Sequence, residues 1–286
     1  MWITTADIDR IAVHDLGGSG PPILFCHATG FHGLVWQAVS AELSDSVHGI
    51  SFDQRGHGDS GLPQDLDLDW SGFARDALAV VGSLGLERPI GVGHSSGATV
   101  LLLAEQLQPG TFAALYCYEP IIVPADPPLG PDPSNWLAAA ARRRREVFRS
   151  KAEALASYSA KPPFSTWRPE VVAAYVDHGL AAQPDGMVTL RCQRDVEARV
   201  YEMASANNAF GRLAEVRCPV LVAAGADSES VTRAGIEVVA RRLPLGRTEI
   251  LASLGHFGPF EDPPAVSHSI RRFLNGLPGA GDASPV

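Results

Sequence analysis

The stretch IGVGHSSGATVLLLAEQL, residues 90–107, places the segment GHSSG, residues 93–97, between two apolar runs. The short run before this segment is typical of a buried strand, and the longer run after it is typical of a helix packed on a sheet. A serine on such a tight turn projects beyond the sheet edge, and the flanking glycines leave room for the neighbouring backbone. The helix N-terminus behind the turn favours negative charge there. We therefore predict that Ser95 is a nucleophile rather than part of a structural turn.

Short apolar runs alternate with longer helical patterns along the rest of the chain, which predicts a mostly parallel sheet covered by helices on both faces. The predicted strands are residues 8–16, 22–26, 47–53, 90–93, 113–118, 220–224 and 248–251. The predicted helices of this core are residues 70–84, 98–107 and 265–274. The fold class is therefore α/β.

Residues 121–213 interrupt this alternation, because they contain no convincing strand pattern. A proline-rich start at residues 124–133 leads into helical patterns at 136–155 and 171–180. We interpret residues 121–213 as a helical insertion between two parts of one core, residues 1–120 and 214–277. Residues 278–286 are predicted to be a disordered tail.

The composition of the 286 residues excludes several classes of function. A net charge of −9 gives no support for nucleic-acid binding. The single basic run, residues 142–145, is interpreted as a solvated helix face. Four cysteines without C-x-x-C spacing are expected to be reduced, and no apolar run is long enough to span a membrane. Without a secretory signal pattern, the chain is expected to be soluble and cytoplasmic.

Three further segments carry a family resemblance: HATGF at residues 27–31, DQRGHGDS at 53–60 and GHFGPFEDP at 255–263. Together with residues 93–97, and in this order, they make the chain resemble the α/β-hydrolase family outside the insertion and the tail. The resemblance implies a mostly parallel eight-stranded sheet flanked by helices. It also implies that the insertion after the sixth strand forms a lid over the nucleophile. Ala28 stands where the family usually has glycine, which is a mild departure.

The resemblance implies that His256 is the catalytic base, since a serine hydroxyl at neutral pH needs an imidazole to take its proton. The oxyanion hole would consist of the backbone N–H groups of Ser96 and, by the motif match, Thr29. The other histidines are expected to pack, to support loops or to lie on the surface. None of the nine has the spacing of a metal site, so no metal is predicted.

The acid that orients His256 has two candidates. The family usually supplies it in a G-x-x-D pattern after the strand at residues 220–224, but here Asp227 comes one residue early and Ser228 occupies the usual place. A minority of relatives place the acid after the preceding core strand, where this chain has Glu119. We prefer Glu119, because a serine cannot supply the charge that stabilises an imidazolium. Asp227 remains the alternative.

The predicted reaction is hydrolysis of a carboxylic ester or related acyl bond of a small apolar molecule, with Phe31 and Phe257 as candidate substrate contacts. The same residues also suit a carbon–carbon hydrolase of β-diketones or ring-fission products. A third hypothesis is a ligand-binding relative with weak catalysis. No cofactor, nucleic acid or membrane is expected as a partner, and the chain is expected to be a monomer or a homodimer.

Overall fold

An eight-stranded sheet forms the centre of the protein in a computed structural model, which describes residues 1–64 and 68–277. The strands of the chain are β1 (Trp2–Ile3), β2 (Ile11–Gly18), β3 (Pro22–Cys26), β4 (His48–Phe52), β5 (Ile90–His94), β6 (Ala114–Tyr118), β7 (Val147–Phe148), β8 (Leu180–Ala182), β9 (Val188–Leu190), β10 (Val220–Gly225) and β11 (Gly246–Leu251). The predicted tail, residues 278–286, lies outside the described residues.

The order of the central sheet is β1-β2-β4-β3-β5-β6-β10-β11. Strand β2 is antiparallel to β1 and β4, and all other neighbours are parallel. The prediction of a mostly parallel eight-stranded sheet is therefore confirmed. The first predicted strand, residues 8–16, is wrong at its start, since β2 begins at Ile11 and the two-residue β1 precedes it. A two-residue strand has no periodicity from which it could be predicted.

Helices cover both faces of this sheet. The helices are α1 (Gln37–Leu43), α2 (Trp70–Ser83), α3 (Ser96–Leu107), α4 (Trp136–Arg142), α5 (Lys151–Ser159), α6 (Pro169–Gly179), α7 (Arg194–Glu202), α8 (Arg233–Arg242), α9 (Gly258–Glu261) and α10 (Pro263–Asn275). The three predicted core helices correspond to α2, α3 and α10. None of the described helices combines the length and the apolar character needed to cross a membrane.

Two apolar cores lie on opposite faces of the sheet. Alternate residues of β3 belong to different cores, because successive side chains of a strand point to opposite faces. Leu24 joins the core that includes residues of α2, α3 and α8, and Phe25 joins the core that includes residues of α1 and α10. Both side chains are fully buried. Burial on both faces explains why the parallel strands are continuous apolar runs in the sequence.

The insertion between β6 and β10 combines helices α4 to α7 with a small antiparallel sheet of order β7-β9-β8. The prediction of a purely helical insertion is therefore wrong in this respect, because strands of two or three residues are too short to produce a pattern. The predicted helix 136–155 is divided into α4 and α5, with β7 between them.

The basic run at residues 142–145 is not simply a solvated helix face. Helix α4 ends at Arg142, and the Arg144 side chain turns inward, with one fifth of its surface exposed. Its guanidinium pairs with Glu197 of α7 and donates to the hydroxyls of Tyr158 and Tyr175, the latter at 2.6 Å. The sequence pattern could not show that Arg144 has a buried carboxylate as its partner, or that Arg142 pairs with Glu202.

Candidate active site

Ser95 occupies the sharp turn between β5 and α3. Its φ of 56° and ψ of −120° lie outside the regions that non-glycine residues usually adopt, so the surrounding contacts must hold the turn. The Ser95 N–H donates to the Tyr118 carbonyl at 2.9 Å. A Cβ atom at Gly97 would collide with the carbonyl oxygens of Cys26 and His27 at the end of β3. The glycine therefore lets α3 lie directly against the sheet with Ser95 at its edge.

His256 lies in the loop between β11 and α9, and its Nδ1 is 2.5 Å from Oε2 of Glu119. Two contacts hold this loop. The Tyr118 hydroxyl donates to the Gly255 carbonyl at 2.8 Å, and the Gly255 N–H donates to the Glu261 carboxylate at 2.7 Å. Since the Nδ1–H points at the carboxylate, Nε2 is the ring nitrogen that remains for proton exchange with a substrate or nucleophile.

Glu119 directly follows β6 and is fully buried, with a φ of 48°. Besides His256, its carboxylate accepts the Gly225 N–H at 3.0 Å and the Ser228 hydroxyl at 2.8 Å. The carboxylate therefore has three hydrogen-bond partners, as a buried polar group requires. The structure brings the preferred acid candidate, Glu119, to the candidate base.

Asp227, the alternative acid, is exposed. Its backbone N–H donates to the Leu254 carbonyl at 2.9 Å, which fixes the loop. Within the described parts of the chain, no hydrogen bond or ion pair joins the Asp227 side chain to His256. The structure does not bring this candidate into the site.

Ser95 and His256 are connected through His94. The His94 Nε2 lies 2.8 Å from the His256 carbonyl oxygen, and the two rings are 4.8 Å apart. Burial lowers the pKa of His94 well below its usual value, so this ring is neutral. Across residues 1–64 and 68–277, no hydrogen bond links the Ser95 hydroxyl to His256. Such bonds are often long in a protein without substrate and shorten in the complex.

The two predicted oxyanion donors lie next to each other. Ser96 is the first residue of α3, so its N–H belongs to the four that have no partner within the helix. Thr29 lies in the loop after β3, and its hydroxyl donates to the Ser96 hydroxyl at 3.0 Å. This contact places the loop after β3 beside the start of α3, next to Ser95.

Aromatic side chains of core and insertion meet beside these residues. Phe257 lies against the His256 ring at 5.0 Å, and Phe31 lies 6.1 Å from Phe257. Trp167 of the insertion packs on both, at 5.3 Å from Phe257 and 5.5 Å from Phe31. Tyr175 adds a further contact to Phe31 at 5.5 Å. The surroundings of the site are therefore apolar.

Neutral buried histidines support the loops around the site. His27 Nε2 accepts the Gln54 N–H at 2.9 Å, and its Nδ1 lies 2.7 Å from the Ala28 carbonyl oxygen. Burial, and then the neighbouring His57, lower the pKa of His27 to about 3. Burial also lowers the pKa of His32 to about 4. These rings act as fixed hydrogen-bonding groups at neutral pH.

One contributor was missed from the sequence. The sequence motif identifies Ser228 only as the residue that stands where the family usually has its carboxylate. The structure shows that its hydroxyl bonds to the Glu119 carboxylate. The two residues are 109 positions apart, and only the adjacency of β6 and β10 brings them together.

Segments of the chain are similar to known hydrolases. A segment of 93 residues is 37% identical to 2-(acetamidomethylene)succinate hydrolase of Mesorhizobium japonicum, and covers 32% of this chain and 33% of that protein. A segment of 104 residues is 32% identical to the pimeloyl-[acyl-carrier protein] methyl ester esterase of Methylococcus capsulatus, and covers 35% and 37%. The chain thus matches only about a third of the length of these curated relatives, both of which are hydrolases.

A solved structure of E-2-(acetamidomethylene)succinate hydrolase matches over 96% of this chain and 98% of its own, with a TM-score of 0.82 and 21% identity. This likeness shows a shared fold. The sequence model of the alpha/beta hydrolase family matches residues 23–268. The chain belongs to the alpha/beta hydrolase family.

Proposed function

We propose that the protein is a serine hydrolase that cleaves a carboxylic ester, or a related acyl bond, of a small apolar molecule. The reaction would proceed through an acyl-enzyme on Ser95. The observation that carries the proposal is the short contact between His256 and the buried carboxylate of Glu119, next to the strained turn that holds Ser95. The hydrolase names of the relatives support the same class of reaction.

In this mechanism, Nε2 of His256 takes the proton of the Ser95 hydroxyl while Oγ attacks the substrate carbonyl carbon. The backbone N–H groups of Thr29 and Ser96 stabilise the oxyanion that forms. His256 then gives its proton to the leaving alcohol, and the acyl group remains on Ser95. A water molecule, deprotonated by His256, releases the acid and restores the serine. Glu119 holds the ring tautomer and stabilises the imidazolium in both halves of the reaction.

The substrate class is supported by the apolar surroundings of the site. The insertion would act as a lid, because its Trp167 and Tyr175 pack on Phe31 beside the oxyanion loop. Phe31 and Phe257 are the proposed substrate contacts, since they flank the oxyanion loop and His256. Aromatic walls favour a compact apolar acyl or alcohol group.

The acid assignment is tested by comparing Glu119→Gln with Asp227→Asn, using a panel of p-nitrophenyl esters of graded chain length. We expect Glu119→Gln to lower kcat by about 10³ to 10⁴-fold, since loss of the carboxylate destabilises the imidazolium. Asp227→Asn, at an exposed position, should remain within about twofold of the wild type. If Asp227→Asn loses several orders of magnitude and Glu119→Gln does not, the proposed acid is wrong.

The nucleophile is tested with a fluorophosphonate probe and the Ser95→Ala variant. The folded wild type should form an adduct on Ser95, and the variant should form none. Absence of an adduct on folded wild type would contradict the catalytic proposal and favour a binding role. A vinylogous diketone included in the substrate panel distinguishes the reaction classes: cleavage of the diketone without any ester turnover would identify a carbon–carbon hydrolase.

A further inference from the structure

Two loops meet at the carboxylate that faces His256. Glu119 follows β6 and Ser228 follows β10, which is the neighbouring strand in the sheet. The Ser228 hydroxyl lies 2.8 Å from Oε2 of Glu119, the same oxygen that lies 2.5 Å from Nδ1 of His256. Because both distances end on one atom, the hydroxyl and the ring nitrogen are at most about 5.3 Å apart.

We propose that Ser228 is a positioning residue, whose hydroxyl holds the Glu119 carboxylate in the orientation that His256 needs. This inference rests on the proposed function, because it assigns a task to a residue that touches the acid and not the substrate. It also explains why a serine occupies the place where the family usually has its carboxylate.

The direction of the Ser228 hydroxyl is set by a second contact. The Ser230 N–H donates to Oγ of Ser228 at 3.2 Å, so one lone pair of the hydroxyl is occupied and its own hydrogen is free to point at Glu119. The loop therefore presents a donor to the carboxylate. A hydrogen bond to an ionised group is stronger than one between neutral groups.

The backbone and the side chain of Glu119 are both held in place. A φ of 48° is uncommon for a non-glycine residue, and the side chain leaves a strained turn at the end of the strand. The Gly225 N–H holds Oε1 at 3.0 Å, and Ser228 holds Oε2. With one donor on each oxygen, rotation of the carboxylate about its terminal bond is restricted, and Oε2 stays directed at His256.

The same geometry makes position 228 a second place from which a carboxylate could reach His256. An aspartate there extends one atom further than serine, from a position that already lies near Nδ1. We expect Glu119→Gln/Ser228→Asp to be at least 100-fold more active than Glu119→Gln alone. The matched control is Glu119→Gln/Ser230→Asp, because Ser230 is exposed and contacts Ser228 through its backbone. This control should show no recovery.

Ser228→Ala tests the positioning role directly. We expect kcat to fall about tenfold with KM nearly unchanged, since the hydroxyl does not touch the substrate. The acid limb of the pH profile of kcat/KM should move to lower pH, because a carboxylate that is no longer held toward His256 stabilises the imidazolium less. Ser228→Thr keeps the hydroxyl and should restore most of the loss. A merely structural hydrogen bond would change the melting temperature without moving the pH profile.

A second readout does not depend on turnover. The proton on Nδ1 of His256 should give a downfield NMR signal in the wild type, which shifts in Ser228→Ala and disappears in His256→Gln. The inference is overturned if folded Ser228→Ala keeps the wild-type kcat, pH profile and Nδ1 signal. It is also overturned if Glu119→Gln/Ser228→Asp is no more active than its Ser230→Asp control. Failure of the proposed function would look different, since Ser95→Ala would then retain wild-type turnover.

Discussion

Mild acid should destabilise this protein, because the folded chain keeps buried histidines neutral. Burial lowers the pKa of His27 to about 3 and that of His32 to about 4, from an ordinary value of 6.5. In the unfolded chain, both rings bind a proton as the pH falls below 6.5. A folded-state pKa below the unfolded one means that stability is present at neutral pH and is lost as the pH falls, here from about 6.5 down to about 4 for His32 and about 3 for His27.

The magnitude follows from these values. Between pH 7 and pH 5, each ring lowers the free energy of unfolding by about 1.9 kcal/mol, and the two together by about 4 kcal/mol. Burial also lowers the pKa of His57 and His94, which acts in the same direction. Burial raises the pKa of Asp76. Protonation of Asp76 as the pH falls therefore favours the folded state and partly offsets this loss of unfolding free energy. Against a typical total of about 5 to 15 kcal/mol, the change is large.

Urea unfolding followed by circular dichroism at pH 7, 6 and 5 measures this effect. The slope of the unfolding free energy against pH counts the protons taken up on unfolding, at about 1.4 kcal/mol per proton and pH unit. His32→Asn removes one such group and should make the slope between pH 6 and 5 shallower by about 1.2 kcal/mol per pH unit. His268→Asn, at an exposed position, is the matched control and should leave the slope unchanged. A wild-type loss below about 1 kcal/mol from pH 7 to 5, or no effect of His32→Asn, would refute the reasoning.

Three substitutions test other parts of the structure. Arg144→Met leaves the buried Glu197 carboxylate without its cation, so urea unfolding should show that the free energy of unfolding falls by about 2 to 4 kcal/mol. Adding Glu197→Met should recover most of this loss. Strictly additive losses would contradict the pairing. Gly97→Ala places a Cβ against backbone carbonyls at the end of β3 and should abolish soluble folded protein. Gly82→Ala is the control: position 82 has open space around it, so the change should leave the melting temperature unchanged or raise it. Asn135→Ala removes the side-chain cap of α4 and should cost about 1 kcal/mol in urea; no measurable loss would show that the cap is dispensable.

The central sheet could be predicted because its parallel strands are buried on both faces and appear as continuous apolar runs. Strand β1 and the three strands of the insertion could not, since two or three residues carry no period. The inward orientation of the Arg144 side chain could not be predicted either. Its partner, Glu197, lies 53 residues further along the chain, and no local pattern connects them.

Those residues of the candidate site that lie within local sequence motifs could be predicted. Ser95 and His256 each lie in a segment whose residues and context indicate the chemistry. The choice between Glu119 and Asp227 depends on which side chain turns toward His256 at the shared edge of β6 and β10, and neither segment encodes that direction alone. The contact of Ser228 with Glu119 cannot be predicted for a related reason, because the sequence around position 228 does not show which carboxylate its hydroxyl meets.

The site is assembled from loops that are far apart in the chain, since His94 and His256 are separated by 162 residues. The turn that holds Ser95 can form locally, but the ring that would deprotonate it arrives only when β11, the last strand, joins the edge of the sheet. Contacts of such high sequence separation are slow to form, because closing a long loop costs entropy before the contact stabilises the chain. Covalent labelling of Ser95 during refolding would therefore report when the whole domain has folded. The labelling should lag behind the recovery of the helical circular-dichroism signal.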